Sequence, residues 1–184
     1  MKKTLLLSFI FMFSLLVVAC NDDEDDDNSP TTQNPPENTD PTFEAIISGD
    51  ITDTIAFTVP DGIFTEQSIL GSYVGVSNLL SLNIMELPTG YQINLIGNRD
   101  SFGEGDFEAS GMLGYGGYVD TALGRTFVGT ACTTTFDSVV LFQDVIQATY
   151  TVAGSFTMTA EDNSTPPRVI EINGTFENIT IGVN

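Results

Sequence analysis

Histidine and tryptophan are absent from this chain, and its 184 residues carry only five lysine and arginine side chains against 25 aspartates and glutamates. Two of the five positive charges, Lys2 and Lys3, lie at the extreme N-terminus. Nucleic-acid binding is excluded, because it needs clustered basic side chains against phosphate. Without imidazole, Ser-His-Asp and Cys-His nucleophilic sites and the usual catalytic zinc sites are excluded as well.

The first twenty residues have the pattern of an export signal. Lys2 and Lys3 precede an apolar stretch, Leu5–Ala19, that is shorter than the roughly twenty residues a membrane-spanning helix needs. The stretch ends in Val17-Val18-Ala19-Cys20, which resembles the lipobox of bacterial lipoproteins. The resemblance implies cleavage after Ala19, acylation of Cys20 with palmitate-type chains, and anchoring without a transmembrane helix.

Residues 20–42 are predicted to be a lipidated cysteine followed by a disordered tether. The segment after Cys20 has eight acidic residues, four prolines and no positive charge, so it cannot bury enough apolar surface to offset its ordering entropy. Its acidic run resembles the export signal of Bacteroidetes-type surface lipoproteins. That resemblance implies an outer-membrane protein exposed at the cell surface, with a signal formed by Asp22, Asp23, Glu24, Asp25, Asp26 and Asp27.

Residues 43–184 are predicted to form a single all-β domain. Apolar and polar residues alternate along Leu80–Ile84 and again along Tyr91–Leu95, and the turn signal Pro88-Thr89-Gly90 between them indicates a hairpin. A longer hairpin is predicted from Gln147–Thr159, the loop Glu161–Pro167 and the returning strand Ile170–Phe176. Weaker patterns predict strands over Phe43–Ser48, Thr54–Val59, Ser68–Val76, Asp106–Leu113, Arg125–Cys132 and Asp137–Phe142.

About eight or nine strands favour a single antiparallel meander, and the long Gln147–Thr159 strand favours a barrel over the alternative two-sheet sandwich. The segments Gly154-Ser155-Phe156 and Gly174-Thr175-Phe176 resemble the C-terminal hairpin of uncharacterised Bacteroidetes-type lipoprotein domains, which are often calycin-like or lipocalin-like. The resemblance covers about Gly71 to Ile181 and implies a fold but no catalytic residues.

Candidate site residues are few. The oxygen donors of Asp100, Glu104 and Asp106 are the kind of ligand that Ca²⁺ takes, although their spacing does not match an EF-hand. Tyr115 and Tyr118 lie in a glycine-rich run and are candidates to contact a ligand or to flank a flexible hairpin tip. Cys132 is predicted to be a buried, unreactive thiol.

No catalytic motif is found, which indicates a non-enzymatic surface lipoprotein that binds a ligand or partner or has a structural role in the envelope. No cofactor is predicted, apart from the possible Ca²⁺. Two alternatives stay open: a lipocalin-like carrier of a small apolar ligand, and a glycan-active enzyme that uses only the carboxylates of Glu104, Asp106 and Glu108. The candidate partners are therefore the membrane, through the lipid anchor, and a glycan, a small apolar ligand or an envelope protein.

Overall fold

Alternating burial organises the strands of this domain, because successive side chains of a strand point to opposite faces of the sheet. The computed structural model describes residues 40–59, 67–109, 116–144 and 147–184. Across these residues the chain forms ten strands and no helix. They are β1 (Thr42–Gly49), β2 (Asp53–Thr58), β3 (Gln67–Val74), β4 (Leu79–Glu86), β5 (Tyr91–Asn98), β6 (Gly105–Glu108), β7 (Gly116–Asp120), β8 (Arg125–Asp144), β9 (Ala148–Glu161) and β10 (Val169–Val183).

All ten strands belong to one sheet that closes on itself. β3, β4, β5, β7, β8, β9 and β10 pair in succession with antiparallel neighbours, and the end of β10 pairs in parallel with β3 through Ile181↔Gly71. We call this set of strands the ring. β6 lies beside β7 between β5 and β8, and the β1–β2 hairpin extends the sheet from β10. The predicted all-β antiparallel meander is confirmed, and the two-sheet alternative is wrong.

Apolar side chains fill the ring. The buried residues include Leu80, Leu82 and Ile84 on β4 and Ile93 and Leu95 on β5, each at the alternate positions that the sequence predicted. Aromatic rings continue this core from one strand to the next: the ring centroid of Phe136 lies 4.8 Å from that of Phe107 and 5.9 Å from that of Phe176. The burial of about two dozen apolar side chains is the main stabilising contribution to the fold.

Both predicted hairpins are confirmed. Pro88, Thr89 and Gly90 form the turn between β4 and β5, where the φ of +75° at Gly90 favours glycine. β9 and β10 pair along their whole length apart from a bulge between Phe176 and Ile179, so β10 extends well beyond the predicted end at Phe176. The loop between them is held by the carboxylate of Asp162, whose pKa is kept well below its usual range by hydrogen bonds from Ser164 and Arg168.

Two details differ from the sequence-based expectation. The strands predicted over Arg125–Cys132 and Asp137–Phe142 are one strand, β8, whose register shifts at three places against β9. Each shift adds one residue to β8 relative to β9, so the residues that pointed inward before the shift point outward after it. The apolar–polar alternation is therefore interrupted although the strand continues. Of the strand predicted over Asp106–Leu113, the described part is Gly105–Glu108, and residues 110–113 lie outside the described residues.

Candidate ligand-binding face

The predicted calcium residues surround a loop that already contains a positive charge. Asp100, Glu104 and Asp106 are exposed, but the guanidinium of Arg99 donates to the carbonyl oxygens of Gly103, at 2.9 Å, and Glu104. A cation bound in this loop would need the same carbonyl oxygens as ligands. Among the residues that the structure describes, no group of three or more histidine, cysteine or acidic side chains is arranged to hold a metal ion.

The same loop, residues 99–104 between β5 and β6, packs against the core and is called the Arg99 loop below. Phe102 inserts between aromatic side chains of the core, with its ring centroid 4.9 Å from that of Tyr150 and 5.3 Å from that of Tyr73. The Tyr73 hydroxyl donates to the Arg99 carbonyl at 2.9 Å, and the Arg99 guanidinium lies over the ring of Phe107. The Arg99 loop is therefore held against the core by ring contacts and hydrogen bonds together.

Two glycines of the ring, Gly154 and Gly174, lie close against neighbouring atoms in this structure. A Cβ atom on Gly174 would lie 2.4 Å from the ring of Phe156 and 2.5 Å from the carbonyl oxygen of Glu44. A Cβ atom on Gly154 would lie 2.0 Å from the carbonyl oxygen of Thr135. These glycines allow aromatic rings and neighbouring strands to approach closely, and the filled positions weigh against a carrier that holds its ligand beside them.

The two candidate tyrosines have different positions. Tyr115 lies outside the described residues. Tyr118 is fully buried on β7, where its ring stacks on that of Tyr91 with centroids 6.0 Å apart. The described part of the glycine-rich run is thus a strand and not a hairpin tip, and the φ of +86° at Gly116 allows β7 to begin against the backbone of Asn94. Tyr118 is part of the core instead of an exposed platform.

Tyr91 connects the β1–β2 hairpin to the ring. Its hydroxyl donates to Asp53 Oδ2 at 2.5 Å. This hydrogen bond, together with burial and the nearby charges of Asp53, Asp120 and Glu86, raises the pKa of Tyr91 from 10.0 to about 12. Asp120 is itself buried, and its Oδ1 accepts a hydrogen bond from the backbone nitrogen of Leu123 at 2.9 Å.

Tyr91→Phe is expected to lower the free energy of unfolding by about 1 kcal/mol at neutral pH, because the Asp53 carboxylate loses a donor in a partly solvated place. The raised pKa means that the folded state holds the phenolic proton more tightly than the unfolded state. The difference in the free energy of unfolding between the wild type and Tyr91→Phe is therefore at its full size below about pH 10 and disappears as the pH rises through about 12. Urea unfolding of both proteins across this range measures it. An unfolding free-energy difference that stays constant up to pH 12 would contradict this interpretation.

The carboxylates of the hydrolase alternative are all exposed. Asp106 and Glu108 lie on the outward side of β6, where Asp106 Oδ1 accepts a hydrogen bond from the Thr135 hydroxyl at 2.7 Å. Glu104 precedes the strand and lies at the end of the Arg99 loop. Asp106 thus has a structural partner, and the catalytic role of the three residues stays a prediction. Cys132 is buried and unpaired, and burial raises the pKa of its thiol.

Charge is distributed unevenly over the outer surface of the ring. Residues 43–184 contain 17 acidic side chains and three arginines, which gives a formal charge of −14. None of these charges lies on the outward side of β3, β4, β5, β7 or the first part of β8. We call this surface the uncharged face. Its outward residues are Ser68, Leu70, Ser72, Val74, Leu79, Ser81, Asn83, Met85, Gln92, Asn94, Ile96, Asn98, Gly117, Val119, Thr126 and Val128.

An open groove of about 610 Å³ crosses the uncharged face. Its floor is Gly117, which has no side chain between Asn94 of β5 and Val128 of β8, its two cross-strand partners. Ile96 and Val119 form further apolar walls, and Val128 is 56% exposed. A Cβ atom on residue 117 would lie 2.7 Å from the carbonyl oxygen of Phe127, so the glycine lets β8 approach β7 closely and leaves no side chain on the floor of the groove.

Amide groups lie along one side of the groove. Asn83 and Asn94 are direct cross-strand partners, and the side-chain amide of Gln92 donates to Asn83 Oδ1 at 3.3 Å. Asn94 Oδ1 is buried and has no hydrogen-bond partner within the described part of the chain. A buried acceptor without a donor costs free energy unless water or a ligand supplies one. The groove thus combines apolar walls with an unsatisfied polar group.

The uncharged face had a signal in the sequence that alternation alone did not reveal. Residues 67–85 and 91–98 contain no charged side chain, although the chain as a whole has 25 acidic residues. The outward positions of Ser81, Asn83, Gln92 and Asn94 follow from the predicted hairpin. Their adjacency to Gly117 and Val128 does not, because it depends on the pairing of β5 with β7 and of β7 with β8.

Comparisons of the chain with family models, with curated proteins and with solved structures give no match. Cys20, its acidic neighbours and Tyr115 lie outside the described residues, so the predicted anchor and export signal rest on the sequence. None of the described residues forms a helix long and apolar enough to cross a bilayer.

Proposed function

We propose that this chain is a lipoprotein of the outer membrane, anchored through Cys20 and exposed at the cell surface, and that its β-domain binds an uncharged ligand without catalysis. The lipobox-like and acidic segments support the location. The uncharged face supports the binding activity, because a groove with apolar walls and an unsatisfied amide oxygen crosses a described sheet surface that carries no charge. A neutral ligand is favoured, since the field of a −14 domain repels anions and the groove contains no charge to pair with a cation.

The binding activity is tested by thermal unfolding of the full chain in the presence of neutral peptides, neutral oligosaccharides and small apolar compounds, each with an anionic counterpart. A ligand that binds only the folded state raises the midpoint of unfolding. We expect stabilisation by a neutral compound, its loss in Val128→Asp, and its retention in Ile46→Asp. Ile46 is a matched control, because it is an apolar outward residue with 52% exposure, close to the 56% of Val128.

A neutral ligand that stabilises Val128→Asp as strongly as the wild type would place the binding site elsewhere. A full panel without stabilisation would contradict the binding function itself. The two substitutions introduce the same charge on the same kind of surface, so a general effect of charge on stability appears in both variants and is subtracted by the comparison.

The export signal is tested separately. Replacing the five aspartates and Glu24 between residues 22 and 27 by asparagine and glutamine removes six charges and keeps the length and polarity of the segment. We expect the variant to become resistant to protease added to whole cells, while it remains lipidated and in the membrane fraction. Unchanged cleavage of the variant on intact cells would show that the acidic run does not direct export.

A further inference from the structure

We propose that the ligand of the uncharged face is a neutral glycan chain, bound across the strands with its pyranose rings over Gly117. The inference rests on the proposed binding function and specifies its ligand class. It depends on four properties of the face: its size, its paired strands, the kind of polar groups it presents and the position of its apolar walls.

The size of the face argues against a protein partner. It spans five neighbouring strands and about three outward residues along each strand. With strands about 4.8 Å apart and about 7 Å between successive outward residues, each outward residue covers about 34 Å², and the face covers roughly 500 Å² in total. A stable protein interface needs about 800 Å² on each partner. A second copy of this chain would in addition bring two strongly acidic domains together.

The three central strands of the face, which border the groove and its amides, also lack a free edge that could capture an extended peptide. β4, β5 and β7 are each paired on both sides within the described residues. Strand addition needs a free edge with unpaired backbone groups. The groups left to recognise a ligand are therefore the outward side chains.

Those side chains match sugar hydroxyl groups. Asn83, Asn94 and Gln92 are amides, and each offers a donor and an acceptor in the same plane. A sugar hydroxyl likewise donates and accepts, so adjacent hydroxyls of one ring can pair with both atoms of an amide. Asn94 lines the groove, and its Oδ1 is buried without a hydrogen-bond partner in the described part of the chain. A rotation of this side chain toward the groove would let a ligand hydroxyl donate to it without bringing charge into the groove.

The apolar part of the groove fits the C–H face of a pyranose. Gly117 leaves a flat floor, and Ile96, Val119 and Val128 border it. The strand spacing of about 4.8 Å is close to the repeat of an extended hexose chain, so consecutive rings would meet consecutive strands. Uronic acids and sulfated sugars are disfavoured, because the face has no basic residue to pair with them.

Isothermal titration calorimetry of the full chain in detergent tests the proposal, with neutral hexose oligomers, neutral N-acetylhexosamine oligomers and uronic acid oligomers of increasing length. We expect a neutral series to bind with an affinity that rises with length and then levels off once the chain spans the face. Uronic acid oligomers of the same length should bind at least about tenfold more weakly. Asn94→Leu should lower the affinity for the neutral series about tenfold, because it keeps a similar side-chain size and removes the acceptor that a ligand hydroxyl would pair with.

Val128→Asp should have a similar effect at an exposed position that does not affect the core, and Ile46→Asp should bind as the wild type does. Equal binding of uronic acid oligomers, or neutral binding that both groove variants retain, would overturn the proposal. If no neutral oligosaccharide binds but a neutral peptide or apolar compound stabilises the chain through Val128, the glycan proposal fails and the proposed binding function stands. If no compound binds, both fail.

Discussion

Cys20→Ala is expected to move the protein from the membrane fraction to the soluble fraction. In the proposed lipoprotein, the Cys20 thiol would be acylated first, and the amine freed by cleavage after Ala19 would be acylated second. One acyl chain holds a protein only marginally, whereas two or three hold it stably. Removing the thiol removes the first chain and the processing that depends on it, so the loss of membrane association should be nearly complete.

Incorporation of labelled palmitate, followed by separation of membrane and soluble fractions, measures this effect. Cys132→Ala is the matched control, because it removes the other thiol of the chain from a buried position on β8. The control should keep both the label and the membrane association. A Cys20→Ala protein that still sediments with membranes would mean that something other than acylation holds it there.

Phe136→Ala is expected to lower the free energy of unfolding by about 3–5 kcal/mol, because it leaves a cavity where the surrounding strands cannot collapse. Phe136 is 1% exposed, and its ring contacts three others, those of Phe102, Phe107 and Phe176. These rings come from the Arg99 loop, β6 and β10, so one side chain connects three parts of the core. A loss of this size is a large fraction of the stability of a single domain.

Phe142→Ala provides the comparison, since Phe142 lies on the same strand but is 57% exposed. Its effect should stay within about 0.5 kcal/mol. Urea unfolding of the wild type and of both variants, followed by far-ultraviolet circular dichroism, gives the three free energies. A small effect at Phe136 would mean that the strands around it can rearrange to fill the space. The interior of the sheet would then be less tightly packed than the distances between the aromatic side chains indicate.

The local sequence predicted the hairpins well because each depends on neighbouring residues. β4 and β5 are joined by a turn whose proline and glycine set the backbone angles, and the buried faces of both strands follow from alternation. The same holds for β9 and β10. The prediction was wrong where alternation failed, as in β8, because a bulge reverses the faces and is not visible in the residue pattern.

The candidate calcium and ligand residues show the limit of reasoning from residue type alone. Asp100 and Glu104 are side chains of the type that binds calcium, and the guanidinium of Arg99 donates to the Gly103 and Glu104 carbonyl oxygens beside them, so calcium binding at this loop stays a prediction. Tyr118 has an aromatic ring of the kind that contacts ligands, but it belongs to the core because its side chain points to the inner side of the sheet. Residue type gives the chemistry that is available, and only the fold determines which groups remain accessible.

Charge divides in the same way. The sequence by itself determined that the acidic residues exclude polyanion partners, that eight of them belong to the segment between Cys20 and the β-domain, and that the chain has the pattern of an anchored surface protein. Only the tertiary structure decided which part of the domain surface carries no charge. The uncharged face arises from three separate stretches, residues 67–98, 116–120 and 125–128, that become neighbours only when β7 pairs with β5 and β8. Strand pairing between distant segments depends on the packing of the whole core, so no local pattern could have revealed the groove.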